Sequence, residues 1–310
     1  MSSYPIVPLL RIFRLPNLLV VALTQYLVYY HILRPALDAT GAHAVLTPWK
    51  FVELLSVTLA ITASGYLVND VQDVKTDGIN RPGTNPVADL GQDHVSWLYG
   101  VIILGGFLVS QLLAYRLQER HLLWIFPLAV GALAVYSVGM KRIPVLGNLL
   151  VAAFCAGVPG ILVLAERDGV RQLLQTDPEL GWQSLAICGL FMLFAFLATL
   201  LRELVKDLED LRGDRAVGRR TIPVIWGTSL SHQVGYLLGA MVLVSILTPV
   251  FLGWPAFLQP PLLACVGILT AALLYILWQL RSAREPREYH RLSTQLKFFL
   301  LGGLLLLLLF

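Results

Sequence analysis

Nine predominantly apolar stretches, each about the length a helix needs to cross the hydrocarbon core of a bilayer, follow one another along this chain. They fall at 15–33, 51–68, 95–115, 122–140, 143–165, 185–201, 234–254, 261–280 and 292–310, the last interrupted by Lys297. In hydrocarbon every backbone amide has to be paired within the protein. The pattern therefore predicts an all-α integral membrane protein, nine transmembrane helices in a bundle. Hydrophobic residues make up 57% of the sequence and charged residues 14%, against about 25% charged in ordinary soluble domains, which excludes a soluble globule. Cys155, Cys188 and Cys265 all lie inside apolar runs, so no disulfide framework is expected. With no long linker, low-complexity segment or heptad repeat, residues 1–310 read as one membrane domain.

Loop charge predicts the orientation. Placing the N-terminus in the cytoplasm assigns 17 of the 23 Lys and Arg residues to cytoplasmic segments and leaves Arg34, Lys50, Arg116, Arg120, Arg167 and Arg171 outside. That asymmetry is the positive-inside pattern, and it accounts for most of the formal charge of +4 without a nucleic-acid partner. The first apolar run has no small-residue cleavage site and is read as a retained span. The expectation is a multi-pass protein of the cell's inner or plasma membrane.

Six aspartates form two groups on the predicted cytoplasmic side. The second span ends in Asn69-Asp70-Val71-Gln72-Asp73-Val74-Lys75-Thr76-Asp77, and the sixth in Lys206-Asp207-Leu208-Glu209-Asp210-Leu211-Arg212-Gly213-Asp214. Both read D-x2-D-x3-D, each Asp of the second set lies 137 positions after its counterpart, and both follow spans of the same orientation. This suggests a duplicated four-helix unit with a ninth helix added. At 100° per residue, positions i, i+3 and i+7 fall within about 60° of one helical face, so each group is expected to aim three carboxylates in one direction. A charge at the bilayer centre costs about 2.5–3.5 kcal/mol on insertion scales and less near the interface, so something cationic should compensate them. A single Asp at a helix end would be a solvated loop acid; two matched triads point to a metal. Mg²⁺ fits, being held by one or two carboxylates together with substrate phosphates and water. The six histidines are scattered and no His or Cys pair has zinc-ligand spacing.

Basic residues accompany the acids: Lys75 and Arg81; Lys141 and Arg142; Arg202, Lys206, Arg212, Arg215, Arg219 and Arg220. Topology alone explains Arg281–Arg291, whereas acids and bases converging at helix ends on one side suit a magnesium diphosphate. No G-x4-G-K-[ST] occurs, so a nucleoside triphosphate is not implied.

Asn69-Asp70-x-x-Asp73-x-x-x-Asp77 followed by Asn80-Arg81-Pro82 closely resembles the first aspartate-rich signature of the UbiA superfamily of intramembrane prenyltransferases. Arg202-Glu203-x-x-Lys206-Asp207-x-x-Asp210-x-x-Gly213-Asp214, then Arg219-Arg220-Thr221-Ile222-Pro223 and Trp226-Gly227, is similar to the second. Arg14-Leu15-Pro16-Asn17 and Tyr136-Ser137-x-x-x-Lys141-Arg142 also look like family patterns. The resemblance implies a bundle around a central cavity, in which an isoprenyl diphosphate binds through two magnesium ions and gives its prenyl group to a lipophilic acceptor. Carried over by position, Asn69, Asp70, Asp73 and Asp77 would serve one metal and Asp207, Asp210 and Asp214 the other. Asp73, Asp77, Asp210, Asp214 and Lys141 would act in catalysis, with Arg81, Arg142 and Lys206 on substrate. Tyr136, joined by Tyr66 one turn before Asn69, would present an aromatic face to the electron-poor allylic carbon. Most other aromatics, such as Trp49, Trp97, Trp124 and Trp254, suit the interfacial belt. One departure stands out: where relatives often carry a second basic residue after Arg-Pro, this chain has Asn85.

The Lys-Asp-x-x-Asp-x-x-Gly-Asp form looks most like enzymes that add a second geranylgeranyl group to geranylgeranylglyceryl phosphate, and like chlorophyll synthases. It implies geranylgeranyl diphosphate as donor and a prenylglycerol phosphate as acceptor, with an aromatic or tetrapyrrole acceptor as the alternative. A divalent-cation transporter would need acids within the spans and access from both faces. A phosphatidyl-type transferase would need a nucleotide-headgroup signature, which the sequence lacks. No obligatory protein partner is implied.

Overall fold

The apolar runs become helices, and their lengths follow the pattern of Pro and Gly between them. The computed structural model describes residues 6–80, 82–139 and 143–310, and every regular element among them is helical. A short α1 (Ile6–Ile12) precedes α2 (Leu15–Val28), which passes through a π-helical turn (Tyr29–Leu33) into α3 (Arg34–Thr40). Then come α4 (Pro48–Asn80), α5 (Val87–Leu90), α6 (Gln92–Leu117), α7 (Leu122–Val138), α8 (Leu146–Ala165) and α9 (Arg167–Thr176). The second half holds α10 (Pro178–Glu209), α11 (Leu211–Ala216), α12 (Ile222–Phe251), α13 (Pro260–Ser282) and α14 (Pro286–Leu305).

Among the described residues seven helices (α4, α6, α8, α10, α12, α13 and α14 with its 3-10 extension) are long and apolar enough to cross a membrane. The fourth expected span is the shorter apolar α7, 17 residues long, and the first divides between the 14-residue α2 and the π turn. Nearly every one of the long helices begins with Pro in its first turn or directly after a glycine, where the missing or freed amide costs nothing.

Neighbour relations repeat along the chain. α2 packs on α4, α4 on α6 and α6 on α7; α8 likewise packs on α10, α10 on α12 and α12 on α13, while α14 lies against α10 and α13. Lipid tails are as apolar as leucine, so helices associate through close packing and small residues. At Gly239 of α12 a Cβ would lie 2.5 Å from Leu277 of α13, and at Gly303 of α14 it would lie 2.3 Å from the Phe194 ring of α10. Outward-facing Trp97, Leu104, Trp124, Phe251 and Trp278 present an apolar surface to lipid.

At one end of the bundle α4, α7 and α10 finish while α2, α8 and α14 begin, and both acidic clusters lie there. The other end is pinned by Glu166, which is fully buried. Its carboxylate accepts hydrogen bonds from the Tyr29 hydroxyl (2.9 Å) and from the backbone N–H groups of Val45 and Leu46 (2.8 Å each). An Arg116–Glu53 ion pair joins α6 to α4 at that same end.

Candidate active site

No Gly or Pro interrupts α4 between Tyr66 and Thr76, so the helix carries Asp70, Asp73 and Asp77 on one face, as their spacing predicts. Each acid turns to a different partner. The Arg14 guanidinium pairs with Asp70 and lies 4.8 Å from the centre of the Tyr66 ring. Arg14 has φ of +47° just before α2, and this backbone turn delivers its side chain to α4. Asp77 accepts a 2.8 Å hydrogen bond from the Asn85 Nδ2–H, which also donates to the Asp70 carbonyl at 2.9 Å, while Asn85 Oδ1 accepts from Val87 N–H at 3.0 Å. The residue that departs from the family pattern thus ties the loop to the first cluster by neutral hydrogen bonds. Asn69 lies half-buried on the preceding position of α4.

The second cluster departs from the single-face expectation. α10 stops at Glu209, Asp210 takes φ −90° and ψ 5° as the joint, and α11 carries Asp214. The three carboxylates therefore stand on two helices and a hinge. An Asp favours the non-helical position at a helix start, and Gly213 weakens the helix beyond it. Asp207 remains on α10, where Asn148 of α8 donates to it at 2.8 Å. The break lets α11 fold onto α4.

That contact unites the clusters. Gly218 with φ of +71° reverses the chain after α11, a left-handed conformation that glycine adopts without penalty, and turns Arg219 back toward the acids. Its guanidinium pairs with Asp73 of the first cluster and lies 3.5 Å from Asp214 of the second. Arg219, with Arg14 on Asp70, thus supplies part of the positive charge that these acids require. Burial pushes the Asp214 carboxyl up to about 6 against the pull of Arg219, with the Asp210 and Asp73 charges adding to the rise. Tyr136 stands within the fields of Glu203, Asp73, Asp207 and Arg219. Cys155 of α8 is exposed.

Lys206 does not point at the aspartates: its ammonium donates to both oxygens of Glu203, at 3.1 and 3.0 Å. Arg81, Lys141 and Arg142 lie outside the described residues. Arg219, Arg14, Asn85 and Asn148 are the site residues the sequence did not single out for a role. Arg219 and Arg14 were visible within the family-like patterns, but Asn148 carries no local signal. Among the described residues no three His, Cys, Asp or Glu side chains converge into a ready-made metal cage. The donor set is all oxygen, six carboxylates with the Asn69 amide, partly buried and already drawing a guanidinium into its midst, which suits Mg²⁺ sharing its coordination with a phosphate-bearing substrate.

The model of the UbiA prenyltransferase family matches residues 36–302. This chain belongs to the UbiA prenyltransferase family. It is accordingly an integral membrane prenyltransferase. The digeranylgeranylglyceryl phosphate synthase of Methanoculleus marisnigri is 35% identical to this UbiA member over 219 residues, 70% of this chain and 68% of that one. The synthase of the same name from Thermococcus sibiricus is 28% identical over 280 residues, covering 86% and 90%. A solved structure from work on digeranylgeranylglyceryl phosphate synthase in membranes shares the fold with a TM-score of 0.65 at 18% identity, covering 98% of this chain and 97% of that one. The UbiA homolog from Archaeoglobus fulgidus bound to DMAPP and Mg²⁺ gives 0.51 at 18% identity, covering 96% and 98%.

Proposed function

We propose that the protein transfers a prenyl group from an isoprenyl diphosphate, geranylgeranyl diphosphate in particular, to the free hydroxyl of a prenylglycerol phosphate, with Mg²⁺ as cofactor. The observation that carries this reading is the Arg219 guanidinium between Asp73 and Asp214, because it puts acids of both clusters around one point that attracts positive charge. The names of the relatives support the acceptor, and the DMAPP and Mg²⁺ held by the Archaeoglobus fulgidus homolog support the donor and the metal.

In this reading Asn69, Asp70, Asp73 and Asp77 hold Mg²⁺ on the α4 side and Asp207, Asp210 and Asp214 hold it on the α10–α11 side. Mg²⁺ supplies charge neutralisation for the departing diphosphate. Arg219, together with Arg81, Lys141 and Arg142, binds the diphosphate oxygens. The allylic C–O bond breaks, its electron pair leaves with diphosphate, and the acceptor oxygen forms the new ether bond to the same carbon. The acceptor's proton passes to a site carboxylate or to released diphosphate. The faces of Tyr66 and Tyr136 favour the electron-poor carbon, and the apolar walls keep water from capturing it.

The architecture we propose is one domain over 1–310 with nine spans around the cavity, the first and fourth being the α2–π segment and α7. The N-terminus and the acidic end face the cytoplasm, where the Lys and Arg surplus lies. Purified protein given labelled geranylgeranyl diphosphate, Mg²⁺ and a panel of acceptors tests the chemistry. Transfer to prenylglycerol phosphate is expected; transfer to aromatic acids or tetrapyrroles but never to glycerol phosphates would refute the acceptor.

A further inference from the structure

The chain between two left-handed glycines, Gly218 with φ of +71° and Gly227 with φ of +77°, carries more than Arg219. Glycine adopts that conformation without penalty, so a sharp turn sets this strap off from α11 on one side and from the body of α12 on the other. Its two neighbouring arginines differ: Arg219 is partly buried on Asp73 and Asp214, whereas Arg220 is exposed. Arg212 and Arg215 are also exposed, on the side of α11 opposite the buried Gly213 and Asp214. Among the described residues no acidic side chain forms an ion pair with Arg212, Arg215 or Arg220.

Large apolar side chains are exposed beside these cations: Val217 just before the strap, and Ile225 and Trp226 at its end. Their depth follows from α12. Leu230, Leu237, Val244 and Phe251 recur at every second turn and are all exposed, which makes one lipid-facing stripe. From Phe251 to Leu230 the helix rises about 31 Å, close to the roughly 30 Å thickness of a hydrocarbon core. Trp254 follows Phe251 at the far end, where an interfacial aromatic belongs. Leu230 therefore stands at the hydrocarbon boundary on the acidic side, and Ile225 and Trp226 continue the stripe into the headgroup layer. Loop-charge topology accounts for arginines on this side of the membrane, but it does not account for unpaired arginines beside an exposed Trp and Ile at headgroup depth. Anionic headgroups supply the missing counter-charge there.

We propose that residues 212–230 form a docking element for the anionic surface of the protein's own bilayer. Ile225 and Trp226 insert between the headgroups, and Arg212, Arg215 and Arg220 bind lipid phosphate. The membrane thereby steadies the strap and holds Arg219 on the aspartates, so that the donor diphosphate meets a site whose ordering cost is already met.

Full-length protein in nanodiscs of phosphatidylcholine, alone or mixed with phosphatidylglycerol, tests the proposal. Two quantities are read: backbone hydrogen exchange over 217–227, and the KM for geranylgeranyl diphosphate. In the wild type phosphatidylglycerol should slow the exchange by about tenfold and lower that KM several-fold, and added salt should weaken both effects. The combined variant Arg212→Gln, Arg215→Gln, Arg220→Gln should lose both responses, and Arg220→Gln alone should lose part of them, which keeps the test usable if the combined variant inserts poorly. Trp226→Ser should lose protection in phosphatidylcholine as well, because insertion of the ring does not depend on lipid charge. Wild-type exchange that ignores phosphatidylglycerol overturns the docking, as does a combined variant that keeps the wild-type response. So does a combined variant whose only defect is a raised KM for the phosphorylated acceptor, since that would assign the arginines to substrate. The kinetic response rests on the diphosphate reading above and the exchange response does not. Wild-type protein inert toward geranylgeranyl diphosphate would overturn that reading, while the exchange result decides the docking by itself.

Discussion

Arg219 pairs with Asp73 across 146 positions of sequence, and the same guanidinium reaches Asp214 at 3.5 Å. One side chain thus holds together two acidic clusters that belong to different halves of the chain. The pair is largely buried, and removing one partner of such a pair strands the other charge in a medium of low polarity.

Arg219→Gln should therefore destabilise the metal-free protein, by about 1–3 kcal/mol given its residual contact with solvent. Mg²⁺ alone should restore more stability to the variant than to the wild type, because the metal replaces the missing positive charge beside Asp73 and Asp214. Thermal unfolding with and without chelator measures this; an equal shift in both proteins would contradict the bridging role.

Asp73→Asn and Asp210→Asn should each lower prenyl transfer by at least about a hundredfold, the scale expected when electrostatic stabilisation of a leaving group is lost. Membrane insertion and helical content should survive, since neither residue contributes to the apolar core, although Asp73→Asn also takes a partner from Arg219 and should lower the melting temperature. Product formation from labelled donor, with circular dichroism as control, decides the matter, and full activity in both variants would refute the metal assignment.

Asn85→Ala removes the donors to Asp77 and to the Asp70 carbonyl and the acceptor for Val87 N–H. A stability loss of about 1–2 kcal/mol is expected, along with a several-fold rise in KM for the prenyl diphosphate as Asp77 loses its fixed orientation. Steady-state kinetics with the donor varied would expose a mistaken role by showing no change in that constant.

Glu166→Ala acts at the opposite end. It orphans the N–H groups of Val45 and Leu46 and takes the carboxylate from the Tyr29 hydroxyl, which keeps its hydrogen bond to the Leu46 carbonyl. A loss of about 2–5 kcal/mol is expected from two stranded donors, with the KM values of the remaining folded protein unchanged. Chemical or thermal unfolding beside donor and acceptor kinetics separates the two effects.

Much of this was legible in the residues. Apolar runs of bilayer length specify helices because hydrocarbon leaves the backbone no other way to pair its amides, and the matched aspartates announce a site because uncompensated acids are costly near lipid. The single face assumed for Asp207, Asp210 and Asp214 was not borne out, since helical arithmetic ignores the break that Asp210 and Gly213 introduce. The partners of the acids were not legible either. Arg219 looks like any other cytoplasmic cation until Gly218 turns it inward, and Asn148 has no local pattern at all.

The sequence by itself therefore determined the membrane, the helices and the family-like acids, all of which depend on composition and spacing along one segment. The tertiary structure decided which charges meet: Arg14 with Asp70, and Arg219 with Asp73 and Asp214. Those encounters depend on helix register and on two left-handed turns, at Arg14 and Gly218. An ion pair is a matter of distance across the fold, and the order of residues does not encode that distance locally.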